Sequence, residues 1–408
     1  MGYLQHTVKG LTWMGALRGS TRSLAFVKIA ILARLLPPEQ FGVFGVATLA
    51  LAFLEIITET GINVFLVQEE EDIKDYLNTA WIVSIIRGFL IAALIIILAP
   101  YISLFFNSPK SLNIIYLVSL VPFIRGFINP SIVKFQKNLE FNKEFLFRFV
   151  IYFFDALVAV YLGFVTRSAL SLVYGLIAGS FLEVILSFVF VKPLPVLAFE
   201  IAKIKKVTAR GKWLTAAGLF NYLFQEGDDI VVGKLLNTGA LGLYQVAYKI
   251  STLPVSEVGE IANKVTFPIY VRIQKDRERL KKAFLKVTLV IAILVIPFGL
   301  ILFVFPQPII KFLLGEQWLE IVPVFRVLAL FGILRALSGS AYSVYLAVKK
   351  QEYATGVTFI GFLGLAVTII PFVKNYGIIG AAYSALAGLV LSIPLVIYYL
   401  RKIFKYEV

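Results

Sequence analysis

Charged side chains inside long apolar runs are where this chain could do chemistry, because an unpaired ionised group at the bilayer midplane costs about 2.5 to 3.5 kcal/mol. Arg18 and Arg22 stand one helical turn apart, and Lys28 falls on the same broad face. Glu55 and Glu59 are also one turn apart, with Thr48 and Thr58 nearby. Further on, Asn221, Gln225, Asp228 and Asp229 fall on one stripe of a helix. Arg125, in Phe123-Ile124-Arg125-Gly126, has a counterpart in Arg335, in Ile333-Leu334-Arg335-Ala336. Guanidinium forks suit bidentate phosphate contacts, so a cavity lined by Arg18, Arg22, Lys28, Arg125 and Arg335 would hold a phosphate or pyrophosphate headgroup. The acidic residues read as gating or coupling groups. Asp228 and Asp229 are expected to pair with Arg18, Arg22 or Lys28, for structure or for gating. Glu55 and Glu59 are expected first as charge balance and second as a proton or cation site. Arg34 and Lys234, near helix ends, are expected to snorkel.

Other chemistries are excluded early. There is no cysteine, so thiolate catalysis, thiolate metal sites and disulfides are absent, and His6 is the single histidine. No metal or cofactor is expected beyond a coupling cation or proton. Asp228-Asp229 is a poor metal-binding glycosyltransferase pair because it lies within an apolar span.

The elements that must position these residues follow from composition. The 408 residues are 59% hydrophobic and 15% charged, with a mean hydropathy of +0.87. These are the values of an integral membrane protein. Apolar stretches of roughly 20 residues imply an all-α fold rather than a barrel. Twelve spans are predicted, at about 11–36, 41–67, 77–105, 112–135, 145–165, 169–191, 213–236, 241–268, 284–305, 320–347, 354–373 and 377–400. The first is read as a retained span and not a signal peptide. One set of loops carries most basic residues, among them Lys9, Lys137, Lys143, Lys205, Lys206, Arg210, Lys281, Lys282, Arg401 and Lys402. The opposite set holds only Lys110, Arg167, Lys311 and Lys374. Both termini are therefore expected in the cytoplasm. The net charge of +15 follows from this asymmetry and implies no nucleic-acid partner.

An internal repeat supplies the domain plan. Arg34-Leu35-Leu36, running into Phe41-Gly42-Val43-Phe44-Gly45-Val46-Ala47, returns as Lys234-Leu235-Leu236 and Leu241-Gly242-Leu243-Tyr244-Gln245-Val246-Ala247, with Trp13 falling on Trp213. Two six-helix lobes are predicted, 1–191 and 213–408, joined by a basic cytoplasmic linker at 192–212.

Leu35-Leu36-Pro37-Pro38-Glu39-Gln40-Phe41-Gly42-Val43-Phe44, Asp229-Ile230-Val231-Val232-Gly233-Lys234-Leu235-Leu236 and Leu314-Gly315-Glu316-Gln317-Trp318 resemble polysaccharide biosynthesis flippases. These are the O-antigen, teichuronic-acid and exopolysaccharide translocases of the multidrug/oligosaccharidyl-lipid/polysaccharide exporter superfamily, and the likeness spans nearly the whole chain. The resemblance implies a V-shaped, two-lobed, monomeric transporter with a cationic central cavity. It would turn a polyprenyl-linked oligosaccharide across the cytoplasmic membrane beside a polysaccharide polymerase and glycosyltransferases. A cation-coupled multidrug exporter shares that architecture. A membrane-embedded glycosyltransferase or polymerase would need a large external loop, which the sequence lacks.

Overall fold

The computed structural model describes residues 3–68, 74–198, 200, 203–204 and 211–405. Lys205, Lys206 and Arg210, the basic core of the expected linker, lie outside the described residues, as do the side chains of His6, Lys9 and Trp213. The order is α1 Tyr3–Leu35, α2 Pro38–Ile57, α3 Ile62–Gln68, α4 Lys74–Phe105, α5 Ser111–Val118, α6 Leu120–Arg125, α7 Lys134–Lys137, α8 Phe141–Thr166, α9 Leu170–Phe190 and α10 Gly211–Leu235. The second part continues with α11 Thr238–Ile273, α12 Arg277–Val304, α13 Pro306–Leu313, α14 Val322–Ala347, α15 Gln351–Tyr376 and α16 Ile378–Lys405. No strand occurs among the described residues.

Eight of these helices are long and apolar enough to cross a membrane, nine if the bent pair Ser111–Arg125 and Pro130–Lys137 is one span. The protein is a multi-pass, all-helical membrane protein. α1, α10 and α11 do not pass that test. The first two are the helices carrying Arg18, Arg22, Lys28, Asp228 and Asp229, so charge is what separates them from the rest. Two expected spans are broken. Residues 41–67 divide at Thr58–Gly61, where Gly61 takes φ 71°. Residues 112–135 bend by 74° around Asn129.

The freed backbone at the second break is satisfied from neighbouring elements. Trp81 Nε1 donates to the Phe127 carbonyl at 3.0 Å. Fully buried Asn129 caps Pro130–Val133 by accepting from Ser131 N–H. Its amide also donates to the carbonyls of Ser187 and Val191 at the end of α9. Such a break survives at membrane depth only with internal partners of this kind.

The contacts divide the chain into two compact units, Met1–Gly227 and Asp228–Val408. In the first, α1 packs along α8, α8 along α9, and α4 against α6. In the second, α11 packs on α14 and α15 on α16. The repeat is visible in where the backbone turns. α1 ends at Leu35 and α2 begins at Pro38, with Pro37 extended before it; α10 ends at Leu235 and α11 begins at Thr238, where the Asn237 side chain accepts from Ala240 N–H at 2.8 Å. Proline at the first helical position does in one copy what an asparagine cap does in the other. Left-handed residues recur as well. Leu139 and Arg167 bracket α8 with φ 58° and 46°, and Lys349 and Gly377, each 210 positions on, bracket α15 with φ 61° at both.

Close helix approach depends on Gly88. A β-carbon there would lie 2.5 Å from the Pro122 carbonyl oxygen, a backbone atom that cannot swing away. Gly88→Ala should therefore prise α4 from α6 and destabilise the protein by about 1 to 3 kcal/mol. Gly15→Ala, with nothing within 4 Å, should be silent. Melting temperatures of the two variants in detergent check this, and equal values would contradict it.

Candidate functional site

The tight approach of α4 to α6 places Arg87 and Arg125, each the residue before a packed glycine, toward a common interior. α8 and α9 meet just as closely. Asp155 packs on Gly175 and Gly179, so that a β-carbon at Gly175 would lie 2.6 Å from Asp155 Oδ1. Arg148 and Asp155 on α8 then face Glu183, one turn beyond Gly179 on α9. Between these four helices and α2 lies a cavity of about 360 Å³.

Its walls carry a balanced set of charges. Lys28 Nζ donates to Asp155 Oδ2 at 2.8 Å, with both side chains largely buried. Arg148 Nη1 reaches Glu183 Oε1 at 3.2 Å. Arg87 donates to Glu59 Oε2 at 3.2 Å and to the carbonyls of Thr58 and Glu55 at 2.9 and 2.7 Å, so it also closes the break after α2. Glu59 Oε1 in turn accepts from Gly61 N–H. Arg125 is different. It stands 3.8 Å from Glu55 Oε1 and 3.8 Å from Glu183 Oε2, beyond hydrogen-bond reach of either, with 41% of its side chain exposed. Lys28, Arg87, Arg125 and Arg148 thus meet Glu55, Glu59, Asp155 and Glu183, and the site carries no net charge.

The second unit holds a smaller polar cluster. Buried Asp228 accepts from Tyr244 Oη at 2.7 Å, and Asp229 from Gln245 Nε2 at 2.7 Å. Arg335 is exposed. Its Nη1 donates to Tyr248 Oη at 2.7 Å and its guanidinium lies 5.7 Å from the Phe331 ring, so two side chains fix its direction. The rings of Tyr244 and Tyr248 are 6.2 Å apart. Arg125 and Arg335 occupy the same place in the repeat, 210 positions apart like the left-handed turns that follow them. Three other charges at the cavity of the first unit have no charged counterpart. In the same registers Glu55 corresponds to Val255, Arg148 to Thr358 and Asp155 to Leu365.

Not every residue singled out by spacing lies at these clusters. Lys28, Glu55, Glu59 and Arg125 come together in the first unit, but Arg18 is half-buried and Arg22 exposed nearer the start of α1, and neither lines the cavity. The Asn221 stripe divides: Asn221 and Gln225 are exposed and bonded to each other at 2.9 Å, whereas Asp228 and Asp229 are buried. Arg87, Arg148, Asp155 and Glu183, which the spacing of charges alone does not single out, also line the cavity. One signal pointed at them: Gly175, Gly179 and Glu183 recur every fourth residue, the small-residue spacing of a tight helix contact. No group of three or more His, Cys, Asp or Glu side chains is placed to hold a metal ion among the described residues.

A family model described as "Polysaccharide biosynthesis protein" matches residues 31–323. The chain belongs to the polysaccharide biosynthesis protein family. Among its relatives is the lipopolysaccharide biosynthesis protein WzxC of Escherichia coli K12, 25% identical over 86% of this chain and 72% of WzxC. The teichuronic acid biosynthesis protein TuaB of Bacillus subtilis is 26% identical over 85% of this chain and 72% of TuaB. Among solved structures, the lipid II flippase MurJ in an inward closed conformation aligns with TM-score 0.72 at 18% identity, covering 95% of this chain and 88% of MurJ. An inward-facing multidrug resistance MATE transporter aligns with TM-score 0.70 at 15% identity, covering 95% and 96%. At such identities these two likenesses describe the fold of this family member.

Proposed function

We propose that this protein is a flippase, not an enzyme, that carries a polyprenyl-(pyro)phosphate-linked oligosaccharide across the cytoplasmic membrane for polysaccharide export. The observation that carries the reading is charge held inside an apolar helical wall: Arg87, Arg125 and Arg148 with Glu55, Asp155 and Glu183 around one cavity. Ionisable groups at that depth are retained for a polar cargo or a polar path. Relatives named for lipopolysaccharide and teichuronic acid biosynthesis supply the cargo class.

In this reading twelve spans form two six-helix lobes, 1–191 and 213–408, on either side of the 192–212 linker, with both termini cytoplasmic. The protein works as a monomer beside a polymerase and glycosyltransferases. Rocking of the lobes exposes the site to one leaflet and then the other, while the polyprenyl tail stays in lipid. Arg18, Arg22 and Arg335 meet the phosphate. Lys28 is bonded to buried Asp155 and Arg125 stands between two carboxylates, so these two reach an anion only by leaving those partners. Neutralising the phosphate lowers the barrier to its passage through a low-dielectric slab. Glu55, Glu59, Asn221, Gln225, Asp228 and Asp229 gate the path or couple it to a proton or cation.

The likeness to a MATE transporter makes export of hydrophobic cations the competing reading. Tryptophan quenching of the purified chain in lipid nanodiscs separates the two. A polyprenyl-diphosphate disaccharide should bind and ethidium should not. Preference for ethidium would overturn the proposal.

A further inference from the structure

Six polar side chains that line the cavity of the first unit, Glu55, Asn63, Ser84, Arg125, Tyr152 and Ser180, make no hydrogen bond among the described residues. Arg87, Arg148 and Lys28 are already bonded to carboxylates, so the unused capacity is local. It is also mixed. Arg125 offers only donors and Glu55 only acceptors, 3.8 Å apart and each more than a third exposed, while the Asn63 amide and the Tyr152 hydroxyl offer both.

From this pairing we infer that the cavity is the subsite for an uncharged, hydroxyl-bearing sugar of the lipid-linked glycan. An anion at Arg125 would lie against Glu55 and Glu183, the carboxylates that already neutralise it, so a phosphate is disfavoured there. A sugar has no such conflict. One hydroxyl donates to Glu55 while another accepts from Arg125, and vicinal hydroxyls have the spacing to do both. The volume of about 360 Å³ is that of a small-ligand site. The exposed face of Tyr152 supplies the flat apolar surface on which a pyranose ring packs.

The repeat shows that these charges are not needed to build the unit. Val255, Thr358 and Leu365 stand where the first unit has Glu55, Arg148 and Asp155, and the second half packs its helices without them. Charge at the cavity wall that the sister half replaces by apolar or neutral residues is not required for packing, and is retained for a ligand.

The inference rests on the flippase reading, and saturation-transfer NMR on the full chain in nanodiscs tests it apart from that reading. The probes are the methyl glycosides of glucose, galactose, mannose and N-acetylglucosamine, with inorganic pyrophosphate as the anion. At least one glycoside should show transfer that pyrophosphate does not displace. Binding should weaken at least about tenfold in Glu55→Gln and in Arg125→Gln, each losing charged hydrogen bonds. Lys110→Gln, at an exposed ion pair elsewhere, should bind as the parent does. Melting temperatures verify that each variant is folded. Absence of transfer from every glycoside, displacement by pyrophosphate, or unchanged binding in both cavity variants overturns the inference. A chain that flips lipid-linked sugar yet gives any of those results loses this subsite and keeps its function. One that binds glycoside through Glu55 and Arg125 but flips no lipid keeps the subsite and loses the flippase reading.

Discussion

Asp155→Asn should cost the protein about 3 to 5 kcal/mol, the usual penalty for leaving one member of a buried ion pair without its counter-charge. The partner left behind is Lys28, whose ammonium lies 2.8 Å from Asp155 Oδ2 with 16% and 9% of the two side chains exposed. The amide is isosteric with the carboxylate, so packing against Gly175 and Gly179 is unchanged and the loss is electrostatic. Adding Lys28→Met to Asp155→Asn should recover most of it, because the charge that needed a partner has gone. The second unit already has the apolar solution, with Leu365 in the place of Asp155. Thermal unfolding of both single variants and the double in one detergent gives the coupling. Additive losses would mean that the pair is not what holds α1 to α8.

The second large effect is on transport. Arg18→Gln with Arg22→Gln should slow flipping by about a hundredfold or more. Each unneutralised charge near the bilayer centre adds about 2.5 to 3.5 kcal/mol to the barrier, and every 1.36 kcal/mol is a factor of ten in rate. Arg18 is only half-buried and Arg22 is exposed, so the variant should retain its fold and melting temperature. Full flipping by a folded double variant would remove these arginines from the phosphate path.

How much of this could be read beforehand depends on the range of the interaction. The joint between α1 and α2 and its copy between α10 and α11 were legible, because a helix stop is written locally in Leu35-Leu36-Pro37-Pro38 and Leu235-Leu236-Asn237-Thr238. The bend within residues 112–135 was obscured by averaging. Apolar residues flank it on both sides, and only Asn129-Pro130 punctuates them. The cavity was least legible. Lys28 and Asp155 are 127 positions apart, and nothing in either segment says that α1 lies along α8. Asp155, Glu183, Arg87 and Arg148 gain meaning only when the glycine contacts set which faces meet. Hydropathy places a charge in a span. It does not say which helix answers it.

Reconstitution gives the most direct test of the central claim. Vesicles containing the full chain and a fluorescent polyprenyl-diphosphate disaccharide are exposed to external dithionite, which quenches only the outer leaflet. The account predicts that the protected half of the signal becomes quenchable within minutes, and that Arg18→Gln with Arg22→Gln slows this to near the rate of protein-free vesicles. A protected half that stays protected in vesicles holding folded parent protein would contradict it.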